Sequence, residues 1–452
     1  MPARPRVLFV SEAVTLAQVV RLTTLARALD PARYEVHFAA AGFSPLIFDG
    51  ASPLCATRHT IESLSPEVIE ARVVAGRRLY GRRTLAAYVR EDRALLARVR
   101  PALVVGDLRL SLPIAAPLED VPHAALVNAY WSPHAVRPEG WPMPDHPIVR
   151  LLGPRLAGQH FPRALPLVMR HFAAPVNALR RAHGLPPLGD MSGVLTSGDH
   201  VLFPDVPAIV PTAGAPGHHR YLGYVPWSPP VALPPWWDAL DRARRTVYVT
   251  LGSSGRVEQL PLVVEAAASL GCQVLVATAG RTRLQPAPNV FVADYLPGHL
   301  AAARADVVIS NGGSTTGYQA LAAGRPVLGV ASNLDQYLAT QAIARAGAGL
   351  LVRAGTATLD DVRLTLARLL SEPSFGAAAR AAAAALAAHD STATFRAFVE
   401  SAVGLRPQAS GLRPDLPRGT RPEVRGPRAE AAENPAPAAR TNTPDTDHRP
   451  AR

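Results

Sequence analysis

Residues 306–349 constrain the fold of this 452-residue chain more than any other stretch. Within them, residues 307–309 are a short apolar, β-branched run, which is typical of a buried strand in a parallel sheet. A turn rich in glycine and hydroxyl side chains follows at 310–316 and leads into a predicted helix that extends through Leu321. Residues 327–330 then repeat the pattern as a second predicted strand. Two strand–turn–helix units in succession predict an α/β fold with a parallel sheet.

The turn after the first of these strands has the composition of an anion site. Gly312 and Gly313 permit a tight turn and let a ligand approach the backbone closely. The residues that open the helix add hydroxyl and backbone N–H groups, where the helix dipole favours a phosphate; they are Ser314, Thr315 and Thr316. The ends of adjacent parallel strands meet at one crevice, where open sheets usually bind ligands.

The same segment resembles the nucleotide-diphosphosugar signature of glycosyltransferase family 1, a GT-B family that includes bacterial macrolide and plant flavonoid glycosyltransferases. The signature typically reads His-Gly-Gly-x-Gly-Thr, then Glu, then Gly-x-Pro, then Asp-Gln. The positions that fit in register are Gly312, Gly313, Thr316, Gly324, Pro326, Asp335 and Gln336. Two positions depart from it. Asn311 stands where the family has a phosphate-binding His, and Gln319 stands where it has a Glu that accepts from the ribose hydroxyls.

The resemblance implies a role for each of these positions. Residues 313–316 would hold the diphosphate of the donor, and Asp335 and Gln336 would bind hydroxyls of the donor sugar. At position 311 an Asn can still donate a neutral hydrogen bond to phosphate, and at position 319 a Gln can still accept one from a hydroxyl. A donor site for a nucleotide sugar is therefore expected along this segment.

Two further segments belong to the implied donor site. The family has a Gly-Ser turn close to the donor phosphates, which corresponds here to Gly252, Ser253 and Ser254. Tyr295 and Leu296 lie in a segment that resembles the aromatic-x-Pro region where the nucleobase stacks and pairs with backbone. A tyrosine that only caps the edge of the sheet is the alternative for Tyr295.

Strands also alternate with helices in the first half of the chain. It begins with a predicted strand at 6–10, a helix at 16–29 and a second strand at 34–40. The expected architecture is α/β of the GT-B type, with two Rossmann-like doubly wound domains that face a central cleft. The predicted boundaries are 1–229 for the acceptor-side domain, 134–200 for a variable insertion in it, 204–238 for a Pro-rich linker, 230–404 for the nucleotide-sugar-binding domain and 405–452 for a disordered Pro/Arg-rich tail.

An inverting transferase needs a general base near the acceptor hydroxyl, and the family usually supplies a His after the first strand. The spacing along the first predicted helix puts Ala17 or Gln18 at that position, and neither can act as a base at neutral pH. Strand-end carboxylates are the first candidates, namely Glu12 and Asp107. His123 and His134 are further possibilities, although lone histidines in loops are more often structural or merely exposed. Because Arg109 is close to Asp107 in sequence, a structural ion pair is the alternative for Asp107.

The variable insertion holds apolar side chains that are expected either to line an acceptor pocket or to belong to ordinary core; they are Phe161, Leu165, Leu167, Val168 and Phe172. Arginines among them leave open a peripheral contact with a membrane surface. Prolines, however, interrupt the cationic amphipathic pattern that such a contact would use.

Composition narrows the partners and the compartment. The net charge is +12 and every basic residue is Arg, which is typical of a GC-rich bacterial genome; a basic surface for anionic ligands is the alternative. No nucleic-acid-binding motif is present, and no Asp-x-Asp pair that would indicate a metal site occurs in the expected nucleotide-sugar-binding domain, 230–404. Two distant cysteines, Cys55 and Cys272, together with an N-terminus that enters a strand directly, predict a cytoplasmic protein.

These observations predict an inverting glycosyltransferase that moves a sugar from a UDP- or dTDP-linked donor to a hydroxyl of a small molecule or lipid. The nucleotide sugar is a co-substrate, and no further cofactor, no metal and no nucleic-acid partner are expected. Because the family His is missing at two positions, a catalytically inactive, sugar-nucleotide-binding auxiliary subunit is the alternative. A sugar-nucleotide 2-epimerase is disfavoured by Asp335 and Gln336, and the oligomeric state is left open.

Overall fold

The computed structural model describes residues 3–12, 15–48, 54–145, 154–285 and 287–404. The predicted tail at 405–452 lies outside these ranges. Across the described residues the chain forms two parallel β-sheets with helices packed on them. We call the sheet nearer the N-terminus and its helices the first lobe, and the other sheet and its helices the second lobe.

The first sheet consists, in the described part of the chain, of β1 (Arg6–Ser11), β2 (Glu35–Ala40), β3 (Thr57–Thr60), β4 (Leu103–Asp107), β5 (His123–Leu126), β6 (His200–Phe203) and β7 (His219–Tyr221). Its strand order is β3-β2-β1-β4-β5-β6-β7. The central strands β1 and β4 are buried along almost their whole length, since helices cover both faces of the sheet.

The second sheet contains, within the same ranges, β8 (Thr246–Thr250), β9 (Gln273–Ala277), β10 (Val290–Ala293), β11 (Val307–Ser310), β12 (Val327–Ala331) and β13 (Gly349–Arg353). Its order is β10-β9-β8-β11-β12-β13. In both sheets the order of the strands therefore reverses beside the first strand, as in a doubly wound fold. All strand pairs in both sheets are parallel, and the two predicted Rossmann-like sheets are therefore confirmed.

The helices of the first half are α1 (Leu16–Arg27), α2 (Pro45–Phe48), α3 (Pro66–Val74), α4 (Arg82–Val99), α5 (Leu112–Leu118), α6 (Pro154–Ala182) and α7 (Met191–Leu195). Those of the second half are α8 (Leu260–Ser269), α9 (Gly298–Arg304), α10 (Ser314–Ala322), α11 (Leu334–Arg345), α12 (Leu359–Ser371), α13 (Pro373–Ala387) and α14 (Ser391–Gly404). Short 3₁₀ turns occur at Ala129–Trp131, Trp237–Ala239 and Val257–Gln259. No helix in the described ranges combines the length and apolarity needed to cross a bilayer.

The last helix, α14, packs away from the lobe that precedes it in sequence. Phe395, Phe398 and Val399 form an apolar stripe and lie in the core of the first sheet. The ring of Phe395 is 5.9 Å from that of Phe9, measured between centroids. Residues 391–404 were expected with the second domain, but their buried side chains belong to the first lobe.

Two proline-rich segments contain regular structure. The Pro-rich insertion contains the continuous 29-residue helix α6, although prolines lie inside it at 162, 166 and 175. Pro162 and Pro166 are exposed, so water can satisfy the carbonyl groups that each proline leaves without a partner. Within the predicted linker at 204–238, residues 219–221 pair with β6 as the edge strand β7.

Candidate active site

A cavity of about 1530 Å³ lies between the two lobes, at the carboxyl ends of strands from both sheets. Most of the site residues predicted from sequence line it: Asp107, Gly252, Ser253, Ser254, Tyr295, Leu296, Asn311, Gly313, Ser314, Thr315, Thr316, Gln319, Asp335 and Gln336. Glu12 and Gly312 are not part of the lining. The fold therefore brings together residues that lie more than 200 positions apart in sequence.

The turn after β11 presents the beginning of α10 to the cavity. Gly312 has a φ of +81°, and an added Cβ there would lie 2.5 Å from the Thr340 hydroxyl, so only glycine fits. Gly313 is the N-cap of α10 and has no side chain to accept from the first N–H groups of the helix. Ser314, Thr315 and Thr316, the first residues of α10, line the cavity, and the beginning of a helix without a side-chain cap is a favourable place for an anion.

Asn311 connects this turn to the neighbouring one. Its Oδ1 accepts from the N–H of Gly313 at 3.1 Å, and its Nδ2 donates to Oγ of Ser254 at 3.1 Å. The turn at 252–255 is therefore fixed against the start of α10. Gly252 has a φ of +60°, which explains the glycine at that position.

Two arginines beside these turns were not found by the sequence reasoning. Arg281 donates from Nη1 to the carbonyl of Gly255 at 2.6 Å, and both Arg281 and Arg256 line the cavity. They bring positive charge to the cavity beside the turn at 252–255. Their positions just after strand ends, at the mouth of the crevice, are the signal that a sequence search could have used.

Asp335 lies at the start of α11 and is held from the opposite lobe. Its Oδ1 accepts from the hydroxyl of Tyr130 at 3.1 Å and from Nε1 of Trp131 at 2.8 Å. Gln336 is buried, with Oε1 accepting from Ser332 and Nε2 donating to the carbonyl of Ser254 at 3.3 Å. Asp335 thus has an oxygen directed by two donors, whereas the amide of Gln336 joins two strand-end turns.

The expected nucleobase end of the cavity is formed by Tyr295, Leu296 and Gln319. Tyr295 is 39% exposed and donates from its hydroxyl to the carbonyl of Ala279 at 3.2 Å, while Leu296 is buried. Gln319 donates from Nε2 to the carbonyl of Trp227 at 3.0 Å. Tyr295 therefore presents an accessible ring at the edge of the second sheet.

Asp107 lies at the end of β4 and forms a buried ion pair with Arg21 of α1. Nε and Nη2 of Arg21 each donate to one carboxylate oxygen at 3.1 Å. Burial raises the pKa of Asp107 to about 6, against the opposing effect of Arg21. The expected alternative partner, Arg109, does not pair with Asp107. A charged residue among the buried apolar side chains of α1 was the signal for Arg21.

Glu12 occupies a different environment from the one predicted. Its carboxylate accepts from Arg109 Nη1 at 3.1 Å and from the hydroxyl of Ser63, and its side chain is fully buried. Arg109 also pairs with Asp92 at 2.9 Å and lies over the ring of Tyr88. Glu12 is not part of the cavity lining, and its carboxylate is instead paired with Arg109.

Polar contacts also cross between the lobes at the centre of the cavity. Arg21 donates from Nη1 to Oδ1 of Asn128 at 2.7 Å, and Nδ2 of Asn128 donates to Asp205 at 3.0 Å. From the second lobe, the hydroxyls of Ser314 and Tyr318 donate to Asn128 and Asp205. The beginning of α10 is therefore connected to the Arg21–Asp107 pair through a few buried side chains.

Gln18, at the position of the expected family His, has a structural partner. Its Oε1 accepts from the N–H of Thr15 at 2.8 Å and from the Thr15 hydroxyl, which caps α1. The apolar wall of the cavity comes from α6, and all five side chains predicted for the acceptor pocket or core line it: Phe161, Leu165, Leu167, Val168 and Phe172. In the described ranges, no group of three or more His, Cys, Asp or Glu is arranged to hold a metal.

Comparison with known proteins places this geometry in a family. Residues 261–397 match the family described as erythromycin biosynthesis protein CIII-like, C-terminal domain. The structure of spinosyn rhamnosyltransferase SpnG complexed with thymidine diphosphate has a TM-score of 0.61 to this chain at 21% identity, covering 87% of this chain and all of SpnG. At that identity the likeness shows the fold, and the predicted GT-B architecture is confirmed.

Curated relatives are much closer in sequence. A PGL/p-HBAD biosynthesis glycosyltransferase of Mycobacterium tuberculosis H37Ra is 46% identical over 405 residues, which are 89% of this chain and 93% of that protein. A PGL/p-HBAD biosynthesis rhamnosyltransferase of Mycobacterium bovis BCG is 45% identical over 407 residues, 90% of this chain and 89% of that protein. An inactive PGL/p-HBAD biosynthesis glycosyltransferase of the same organism is 45% identical over 265 residues, 58% of this chain and 71% of that protein. This chain belongs to the PGL/p-HBAD biosynthesis glycosyltransferase family, and the prediction of a glycosyltransferase that uses a nucleotide sugar is confirmed.

Proposed function

We propose that the chain transfers a sugar from a thymidine diphosphate-linked donor to a hydroxyl group, with inversion at the anomeric carbon. The observation that carries this proposal is the beginning of α10, which has no side-chain cap and whose first residues line the cavity between the lobes. Such a helix terminus stabilises the negative charge of a pyrophosphate leaving group without a metal ion. Thymidine is favoured over uridine because SpnG was solved with thymidine diphosphate.

The donor is proposed to lie along the second lobe. Residues 313–316 bind the β-phosphate, and Arg281 and Arg256 add positive charge beside it. The nucleobase lies against the exposed ring of Tyr295. Nε2 of Gln319 donates to the carbonyl of Trp227, so its Oε1 is left to accept a hydrogen bond from a ribose hydroxyl. Each of these groups already lines the cavity, so donor binding needs little rearrangement.

The sugar is proposed to bind at Asp335. Tyr130 and Trp131 donate to Oδ1 of Asp335, which leaves its Oδ2 to accept hydrogen bonds from hydroxyls of the sugar. In this account Gln336 fixes the turn at Ser254 rather than the sugar, since its amide is engaged with protein partners. Rhamnose is the first sugar to test, because one close relative is named a rhamnosyltransferase.

Asp107 is proposed as the general base. The acceptor oxygen attacks the anomeric carbon, its proton passes to the carboxylate of Asp107, and the bond from that carbon to the phosphate oxygen breaks with its electron pair on the diphosphate. A raised pKa of about 6 matches a base that works near neutral pH. Arg21 keeps the carboxylate oriented by a bidentate contact.

The acceptor is proposed to be a small molecule or lipid with a hydroxyl next to a large apolar part. The wall formed by α6 and the cavity volume of about 1530 Å³ leave space beyond the donor. The printed names of the relatives place those proteins in PGL/p-HBAD biosynthesis, which motivates hydroxylated products of that class as acceptors. A cytoplasmic location is part of the same proposal and rests on two distant cysteines, Cys55 and Cys272, which form no disulfide.

The test combines binding and turnover on the full chain. Thymidine diphosphate, uridine diphosphate and their rhamnose and glucose conjugates are screened by thermal shift, since a bound donor raises the melting temperature by mass action. Transfer to phenolic and aliphatic hydroxyl acceptors is followed by mass spectrometry, and the anomeric configuration of the product by NMR. Protection by thymidine diphosphate with transfer and inversion supports the proposal. Binding without transfer or donor hydrolysis for any acceptor supports an inactive auxiliary protein, the alternative that Gln18 and the inactive relative motivate.

A further inference from the structure

Large apolar side chains are exposed to solvent where α3 and α6 border the cavity. Leu167 is 68% exposed and Val168 39%, and both line the cavity, while Val68 on α3 is 41% exposed next to the cavity residues Glu67 and Ile69. Isolated exposed side chains need no explanation, but these lie beside an opening whose interior is apolar. We call α3, the following residues 75–83 (a loop and the first two residues of α4) and residues 157–171 of α6 the cavity rim.

The cavity rim is also strongly basic. Residues 66–83 and 157–171 contain seven arginines against two glutamates. The exposed arginines among them are Arg77, Arg78, Arg82, Arg83, Arg163 and Arg170. Nε of Arg78 donates to the carbonyl of His171 at 3.1 Å, so the loop is attached directly to α6. Charge and exposed apolar side chains therefore occur on one connected part of the first lobe.

We propose that the cavity rim docks on a bilayer that contains anionic lipids, so that the apolar part of the acceptor enters the cavity from the membrane. Leucine and valine beside several arginines are the composition of a surface that inserts shallowly among lipid headgroups. Each arginine near an anionic leaflet adds electrostatic attraction, and this attraction decays over about one Debye length from the membrane surface. The inference rests on the proposed function only in its statement about the acceptor.

The choice of a membrane over a protein partner follows from the charges. A second copy of this chain carries a net charge of +12 and offers the arginines little compensation. An anionic bilayer supplies both the negative charge and the apolar layer that Leu167 and Val168 require. The helix α6 also continues through Pro162 and Pro166, so the amphipathic pattern that the prolines were expected to interrupt is preserved.

The test is co-sedimentation of the full chain with vesicles of phosphatidylcholine alone and with about 30 mol% phosphatidylglycerol. Wild type is expected to sediment with the anionic vesicles and not with the neutral ones. Leu167→Glu is expected to reduce the bound fraction by at least about fivefold. Leu364→Glu, at a 58% exposed leucine of α12 in the second lobe, is the matched control and is expected to bind as wild type does.

A second pair of variants separates the rim from general basicity. Arg163→Ser with Arg170→Ser is expected to lose binding to anionic vesicles while transfer to a water-soluble acceptor is retained. Arg242→Ser with Arg396→Ser removes two exposed arginines elsewhere and is expected to keep vesicle binding. Equal losses in the two double variants, or equal binding to neutral vesicles, would overturn the proposal.

Two other results are informative. If Leu167→Glu converts a dimer to a monomer in size-exclusion chromatography without changing vesicle binding, the rim is an interface between copies and the membrane proposal fails. Transfer activity with no vesicle binding sinks the docking inference alone, whereas vesicle binding with no transfer sinks the proposed function alone.

Discussion

The two lobes hold their cavity-lining side chains in place by different means. In the second lobe, neutral hydrogen bonds hold the turns, as between Asn311 and Gly313 within one turn and between Asn311 and Ser254 of the neighbouring turn. In the first lobe, buried ion pairs do so, as in Arg21 with Asp107 and Arg109 with Glu12. The second lobe is arranged to receive an anion on neutral dipoles, and the first holds a carboxylate whose charge is balanced.

This difference assigns separate tasks to the two sides. A leaving diphosphate is best stabilised by fixed N–H groups that need no proton, whereas a base must gain one during the reaction. We therefore expect changes in the first lobe to affect turnover and changes at the start of α10 to affect donor binding.

The largest effect is expected for Asp107→Asn. The amide cannot accept the proton of the acceptor hydroxyl, so kcat should fall roughly 1,000-fold, within the range for loss of a general base. The Kd for thymidine diphosphate should stay within about twofold, because the donor groups lie in the other lobe. Stopped-assay kinetics and isothermal titration calorimetry measure the two quantities.

Glu12→Gln is the control for that variant. It breaks a buried ion pair with Arg109 and should lower the free energy of unfolding by about 3 kcal/mol. Its kcat at a temperature where the protein is folded should remain close to that of wild type. A large loss of kcat in Glu12→Gln together with full activity in Asp107→Asn would reverse the assignment.

The second effect concerns the start of α10. Ser314→Ala combined with Thr316→Ala removes two hydroxyls from the proposed phosphate site and should weaken thymidine diphosphate binding roughly 100-fold, at about 1.5 kcal/mol for each hydrogen bond to a charged group. Thr365→Ala with Ser371→Ala on α12 is the matched control and should bind normally. Unchanged protection of the first double variant in thermal shift would exclude those hydroxyls from the site.

The third prediction uses pH. Asp107 must be ionised to act, and burial raises its pKa to about 6. kcat/KM should therefore be flat above that pH and fall about tenfold per unit below it. Binding of thymidine diphosphate, measured across the same range, should not follow this profile. A kcat/KM that stays constant down to pH 5 would show that Asp107 is not the titrating base.

The smallest effect is expected for Trp131→Phe, which removes a hydrogen bond between the two lobes. The variant removes the indole donor at 2.8 Å from Asp335, so KM for the nucleotide sugar should rise about fivefold, for a loss of about 1 kcal/mol. The Kd for thymidine diphosphate, which lacks the sugar, should not change. Equal changes in both constants would mean that Trp131 supports the nucleotide rather than the sugar.

The same contrast between lobes decides what could be predicted from the sequence. The donor side depends on local spacing, and residues 311–316 and 333–336 lie where the signature predicts, with strands and helices within a few positions of the expected bounds. Gly312 is the exception, because it packs against Thr340 and does not line the cavity. The roles proposed for the donor-side residues stay predictions.

The first-lobe side depends on contacts between distant residues, which spacing does not reveal. Arg21 and Asp107, which form an ion pair, are 86 positions apart. Arg109 pairs with Glu12 and Asp92 and not with Asp107. The length of helix α6 could not be predicted from its prolines, because the helix continues through Pro162 and Pro166 at exposed positions. Asn128 and Asp205 accept hydrogen bonds from Ser314 and Tyr318 of the second lobe, and no sequence spacing predicts these contacts.

The structure of the chain with bound thymidine diphosphate tests the account most directly. The distances to measure are those from the β-phosphate oxygens to the backbone nitrogens of Thr315 and Thr316. Hydrogen bonds of about 3 Å are expected there, with the Asp107 carboxylate facing the phosphate across the cavity. A diphosphate bound elsewhere in the cavity, with the N–H groups of α10 more than about 5 Å away, would contradict the account.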